Sequence, residues 1–128
     1  MKGKGTISTE SGVLSSTPYS FSTRFEGTRG TNPEELIAAA HAGCFTMALS
    51  AELGKAGMTA ESLNTTANLT MEKQDKGWTV TAIHLELKAK IPGGDKAKFD
   101  AAAAGAKANC PISRLLNTNI TLDASLEG

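Results

Sequence analysis

Hydrophobic and polar residues alternate most cleanly between Leu63 and Glu72, where Leu63, Thr65, Ala67, Leu69 and Met71 oppose Asn64, Thr66, Asn68, Thr70 and Glu72. A period of two puts each set on one face of a half-buried strand. Gln74-Asp75-Lys76-Gly77 supplies a turn, and a returning strand runs from Trp78 to Ile91. Its apolar parity changes along the way. Trp78 and Val80 share one parity, while Ile83, Leu85, Leu87, Ala89 and Ile91 share the other, which predicts a bulge between Val80 and Ile83. Pro92-Gly93-Gly94 closes that strand, and Asn119 to Leu126 alternates again with Ile120, Leu122, Ala124 and Leu126 inward. Near the start, Lys4 to Thr9 and Phe21 to Glu26 read as short strands joined by a segment rich in Gly, Ser and Pro. In the second of these, Phe21, Thr23 and Phe25 share one face, and Ser22, Arg24 and Glu26 the other.

Three segments carry helix signals. After the turn Gly27-Thr28-Arg29-Gly30, Asn32 offers an N-cap, Pro33 fits the first helical position, and Glu34 and Glu35 face the positive end of the dipole. The helix is expected to reach about Leu53, with Gly54 and Gly57 as its stop. Its interior, Leu36 to Ser50, is apolar or small almost all round, the pattern of a buried helix. A domain of this size does not readily surround such a helix, so a homodimer with packed central helices is expected. Asp95 caps a helix over Lys96 to Ala108, and Pro111 opens a shorter one to about Asn117, which puts Cys110 at an N-cap. Two strands, a helix, two strands, paired helices and a strand argue for an α+β fold, with antiparallel sheets flanking a buried central helix.

The chain has 128 residues, which suits a single domain over 1–128. Thirteen basic and thirteen acidic residues cancel, so no charge footprint points to nucleic acid or to an anionic membrane surface. The opening Met1-Lys2-Gly3-Lys4-Gly5 has no apolar stretch, and no later run is expected to reach the length of a membrane span. A cytoplasmic protein is the resulting expectation. There, two cysteines far apart in sequence make a poor permanent disulfide, while a transient catalytic one stays open.

Cys44 lies mid-helix among small neighbours and reads either as a compact core residue or as a nucleophile. Cys110, at a helix N-terminus, meets unpaired N–H donors that favour the thiolate, though it also reads as a plain capping residue. His41 precedes Cys44 by three positions on the same helical face, either as its activating base or as a buried side chain bonded to backbone. No acidic orienter or glycine-rich oxyanion turn accompanies it, which disfavours a cysteine hydrolase. Cys110 and His84 stand at no zinc spacing from His41 and Cys44, so no metal is expected. Arg24 is either a solvated strand arginine or the permanent cation that a cytosolic thiolate needs. Helix geometry turns Glu35 away from Cys44 and makes it the capping-box partner of Asn32. Glu34 lies on the side nearer Cys44 but roughly 15 Å along the axis, so it serves a thiol only through an arginine or in a second subunit.

Asn32-Pro33-Glu34-Glu35-Leu36-Ile37, His41-Ala42-Gly43-Cys44-Phe45 and Asn109-Cys110-Pro111-Ile112-Ser113 together resemble the OsmC/Ohr family of thiol peroxidases. Ser22 to Gly27, the Trp78 strand and Ile120 to Asp123 extend the resemblance over nearly the whole chain. His41 and Ile112 are similar to the osmotically inducible OsmC branch more than to the organic-hydroperoxide-resistance branch, which typically has tyrosine at these points. The N-terminus before Lys4 is short relative to the family. The resemblance implies that Cys44 attacks the peroxide and that Cys110 resolves the sulfenic acid as a disulfide, with Arg24 and Glu34 polarising Cys44. It also implies an intertwined homodimer with active sites between subunits, no cofactor or metal, and an external dithiol reductant such as a lipoyl-bearing protein. A redox-responsive binding protein using the same disulfide without significant turnover is the alternative.

Overall fold

A computed structural model describes residues 3–27 and 29–128. Thr28 of the expected turn, and Met1 and Lys2 of the expected start, lie outside the described residues. The chain forms two compact units, Met1–Ile37 and Ala38–Gly128.

In the first unit, β1 (Lys4–Ile7) pairs antiparallel with β2 (Thr17–Ser20). The segment expected as a strand over Phe21 to Glu26 is instead a short helix, α1 (Phe21–Phe25). Ser20 caps it through a reciprocal box: the Thr23 backbone N–H donates to Ser20 Oγ, and the Ser20 N–H to Thr23 Oγ1. Phe21 and Phe25 pack with ring centroids 4.9 Å apart and planes tilted by 48°, a four-residue helical pair in place of the shared strand face. A parallel bridge joins Tyr19 to Thr31.

The long helix α2 spans Pro33–Lys55. Asn32 Oδ1 accepts the Glu35 backbone N–H at 2.7 Å, as an N-cap does. The Glu35 carboxylate accepts the Thr31 hydroxyl, a bond different from the expected capping box. Contrary to expectation, α2 is long and apolar enough to cross a membrane by length and composition. One stripe of it, His41, Phe45, Leu49 and Leu53, spaced four residues apart, is buried in the core. Within a single chain the helix is therefore buried on one side only, and Met47 is 76% exposed.

In the second unit, β3 (Ser62–Gln74) pairs antiparallel with β4 (Gly77–Lys90) through the expected turn. The bulge falls where the parity change puts it. Thr70 faces Ala82 and Met71 faces Val80, leaving Thr81 as the extra residue. Val80 is thereby returned to the core side, in line with buried Ile83, Leu85, Leu87 and Ala89. The helices α3 (Lys96–Asn109) and α4 (Pro111–Leu115) follow, then β5 (Asn119–Glu127). β5 pairs with β4 in parallel, so the larger sheet is mixed, not purely antiparallel. The two helices between β4 and β5 make the long crossover that parallel neighbours require. Phe45, Leu49, Leu53, Phe99 and Ala103 fill the core beside the β4 face, each large apolar side chain contributing about 1.5–3 kcal/mol of burial.

Candidate active site

The first unit holds an ion pair. Arg24 sits in the last turn of α1 and Glu34 in the first turn of α2, so Arg24 belongs to a helix and not to the polar face of a strand. Arg24 Nε donates to Glu34 Oε1 at 2.5 Å, and Nη2 reaches the same oxygen. The arginine also lies over the Phe25 ring, with Cζ 5.2 Å from its centroid. Glu34 is buried and Arg24 about one third exposed. A carboxylate taken from water needs such a partner, because an unpaired buried charge is strongly destabilising.

The second unit brings the two cysteines together. Cys44 in α2 and Cys110 at the cap of α4 interact through their side chains, with both thiols free. Cys110 is fully buried. It caps α4 with its sulfur, which accepts the Ser113 backbone N–H at 3.3 Å. Burial pushes the Cys44 thiol above its usual range, and the neighbouring Cys110 side chain adds to that. The Ile112 backbone N–H acts the other way, favouring the thiolate. These surroundings orient Cys44 without supplying a positive charge, so its thiolate calls for a cation.

His41 does not pair with Cys44 and does not bond to backbone through Nε2. That nitrogen lies 2.7 Å from Ser113 Oγ, and the same hydroxyl is 3.1 Å from Cys110 Sγ. His41 is completely buried, which lowers its pKa, and its Nδ1 has no hydrogen-bond partner among the described residues. Ser113 and the Ile112 N–H are the components that reasoning on the sequence did not assign. The available signal was Ser113 three residues after a capping cysteine, where an N3 residue folds back toward the cap. His84 bonds elsewhere, its Nδ1 lying 2.6 Å from Thr121 Oγ1 across β4 and β5. Among the described residues no three His, Cys, Asp or Glu side chains cluster as metal ligands.

The family described as OsmC-like protein matches residues 25–125. A peroxiredoxin OsmC from Escherichia coli strain K12 is 55% identical over 126 residues, covering 98% of this chain and 88% of its own. Among solved structures, an OsmC-like protein of unknown function from Vibrio cholerae superposes with a TM-score of 0.76 at 20% identity, covering 92% of this chain and 81% of its own. An organic hydroperoxide resistance protein from Legionella pneumophila superposes with a TM-score of 0.66 at 25% identity, covering 94% of this chain and 87% of its own. With a family match over most of its length and a relative sharing more than half its residues, the chain belongs to the OsmC-like family.

Proposed function

We propose that this chain reduces organic hydroperoxides, and hydrogen peroxide more weakly, by a two-cysteine cycle in which Cys44 attacks and Cys110 resolves. It is a peroxidase of the peroxiredoxin type, as its 55%-identical relative is named. The observation that carries the two-cysteine reading is that Cys44 packs against the buried cluster that holds Cys110, the chain's other cysteine, whose side chain acts on the Cys44 thiol. In the first step the Cys44 thiolate attacks the terminal peroxide oxygen. An S–O bond forms, the O–O bond breaks, and the alkoxide leaves as alcohol after taking a proton. In the second step the Cys110 sulfur displaces the hydroxyl of the Cys44 sulfenic acid, forming the disulfide and releasing water before further oxidation. An external dithiol then reopens the disulfide by exchange. A lipoyl-bearing protein is the reductant this reading assigns.

Burial works against the Cys44 thiolate, so the mechanism gives Arg24 the task of neutralising it and Glu34 the task of fixing the guanidinium. This reading draws residues from both compact units and treats 1–128 as one domain. A homodimer is supported by the exposed apolar side of α2, where Met47 stands open beside Gly43. The cytoplasm is the location this reading assigns, because a reducing compartment keeps the Cys44–Cys110 disulfide transient.

Treatment with one equivalent of cumene hydroperoxide, followed by mass analysis of peptides, should reveal a Cys44–Cys110 bridge. Recovery of both thiols unmodified would defeat the reading. A monomeric mass by light scattering would defeat the dimer.

A further inference from the structure

His41, Ser113 and Cys110 form a continuous polar chain inside an otherwise apolar core. It runs from His41 Nε2 through Ser113 Oγ, at 2.7 Å, to Cys110 Sγ, at 3.1 Å, and Cys110 in turn meets Cys44. Packing alone does not account for it. The imidazole is completely buried but uses one nitrogen, and Nδ1 has no partner among the described residues. An unsatisfied buried polar atom costs about 1–3 kcal/mol, so an apolar side chain would serve the core better. The imidazole also stands at the end of a path that starts on a reacting sulfur.

We propose that Ser113 and His41 relay a proton away from Cys110 and thereby set the rate at which the Cys44 sulfenic acid is resolved. The inference rests on the two-cysteine cycle above. As the Cys110 sulfur attacks, its electron pair forms the S–S bond and the S–O bond of the sulfenic acid breaks. The Cys110 proton passes to Ser113 Oγ while the Ser113 hydroxyl proton passes to His41 Nε2. The departing hydroxide takes up a proton from solvent to leave as water, and His41 returns its proton through Ser113 when the external dithiol regenerates the Cys110 thiolate. Cys110 is oxidised and the sulfenic sulfur reduced, so the peroxide already consumed is the sole oxidant. The Ser113 backbone N–H on the same sulfur holds its direction while the proton moves. Ser113 is a catalytic residue in this scheme because it touches a reacting atom, and His41 is a positioning residue acting through it. Burial keeps the imidazole neutral at neutral pH, which leaves it able to accept the proton.

The test is rapid mixing with one equivalent of cumene hydroperoxide, acid quenching, and mass analysis of Cys44 as sulfenic acid, disulfide or sulfinic acid. Ser113→Ala should slow the disulfide phase by about 10²-fold, the scale of one proton-transfer contribution, and should accumulate Cys44 sulfinic acid when peroxide is in excess. Ser113→Thr, which restores the hydroxyl, should recover the phase. His41→Gln should slow the same phase, and the double variant should be little slower than either single one, because both act in one relay. A wild-type disulfide phase in Ser113→Ala or in His41→Gln would overturn the relay while leaving the two-cysteine cycle standing. Absence of any Cys44–Cys110 disulfide in the unsubstituted protein would instead overturn the cycle and the relay with it.

Discussion

Glu34 receives Arg24 on a single oxygen: Nε and Nη2 of the guanidinium converge on Oε1, while Oε2 is buried with no hydrogen-bond partner among the described residues. The capped α1 and the first turn of α2 deliver the two side chains, so the direction of the guanidinium is set by backbone elements and not by a free surface rotamer.

Arg24→Met should shift the pH profile of Cys44 alkylation upward, because burial already raises this thiol and the substitution removes its assigned cation. Each unit of further rise lowers the thiolate fraction at neutral pH about tenfold. Glu34→Gln should shift it in the same direction by less, since the amide still accepts a hydrogen bond. Iodoacetamide kinetics across pH on a Cys110→Ser background measures this directly, and superimposable profiles would remove both residues from the mechanism.

Cys44→Ser should abolish peroxide consumption. Cys110→Ser should consume one equivalent and stall with Cys44 oxidised, passing to sulfinic acid as peroxide is added. Intact mass and a peroxide assay separate the two variants, and sustained turnover by Cys44→Ser would refute the assignment of the attacking residue.

Stability should fall on acidification through the range of an ordinary histidine. Burial depresses the His41 pKa in the folded state, so below about 6.5 the unfolded chain binds a proton that the folded chain refuses. Stability is therefore full above that pH and declines below it, by up to about 1.4 kcal/mol per pH unit until the depressed folded pKa is reached. Urea midpoints between pH 7.5 and 5.5, buffer values chosen to span that range, should show the decline, and His41→Gln should flatten it.

Gly30→Ala should destabilise the first unit. Gly30 holds φ at +145°, and an added Cβ would stand 2.8 Å from the Pro18 carbonyl oxygen and 2.7 Å from Thr23 Cγ2. Forcing a side chain into such a backbone region costs about 1–3 kcal/mol. Because Thr23 belongs to the α1 capping box, hydrogen exchange of the α1 amides is the sensitive measurement.

The amino-acid sequence by itself determined the features that local physics decides. A period of two marked β3, β4 and β5, and the parity break between Val80 and Ile83 placed the Thr81 bulge within a residue. Asn32, Asp95 and Cys110 were legible as caps because capping depends on a side chain and an amide three positions away. Cys44, Cys110, Arg24 and Glu34 were legible as candidates, from residue chemistry and from family motifs.

Only the tertiary structure decided the rest. Phe21 and Phe25 fit a strand face and a helical four-residue pair equally well over so short a segment, and the Ser20–Thr23 box settled it as helix. Whether β5 lies parallel or antiparallel to β4 depends on how α3 and α4 cross over, which no alternation within β5 records. His41 finds Ser113 across 72 positions, and a hydrogen bond at that separation is fixed by the packing of α2 against the capped start of α4. Periodicity and capping describe neighbours along the chain, whereas the proton path to Cys110 joins residues that become neighbours only when the core closes.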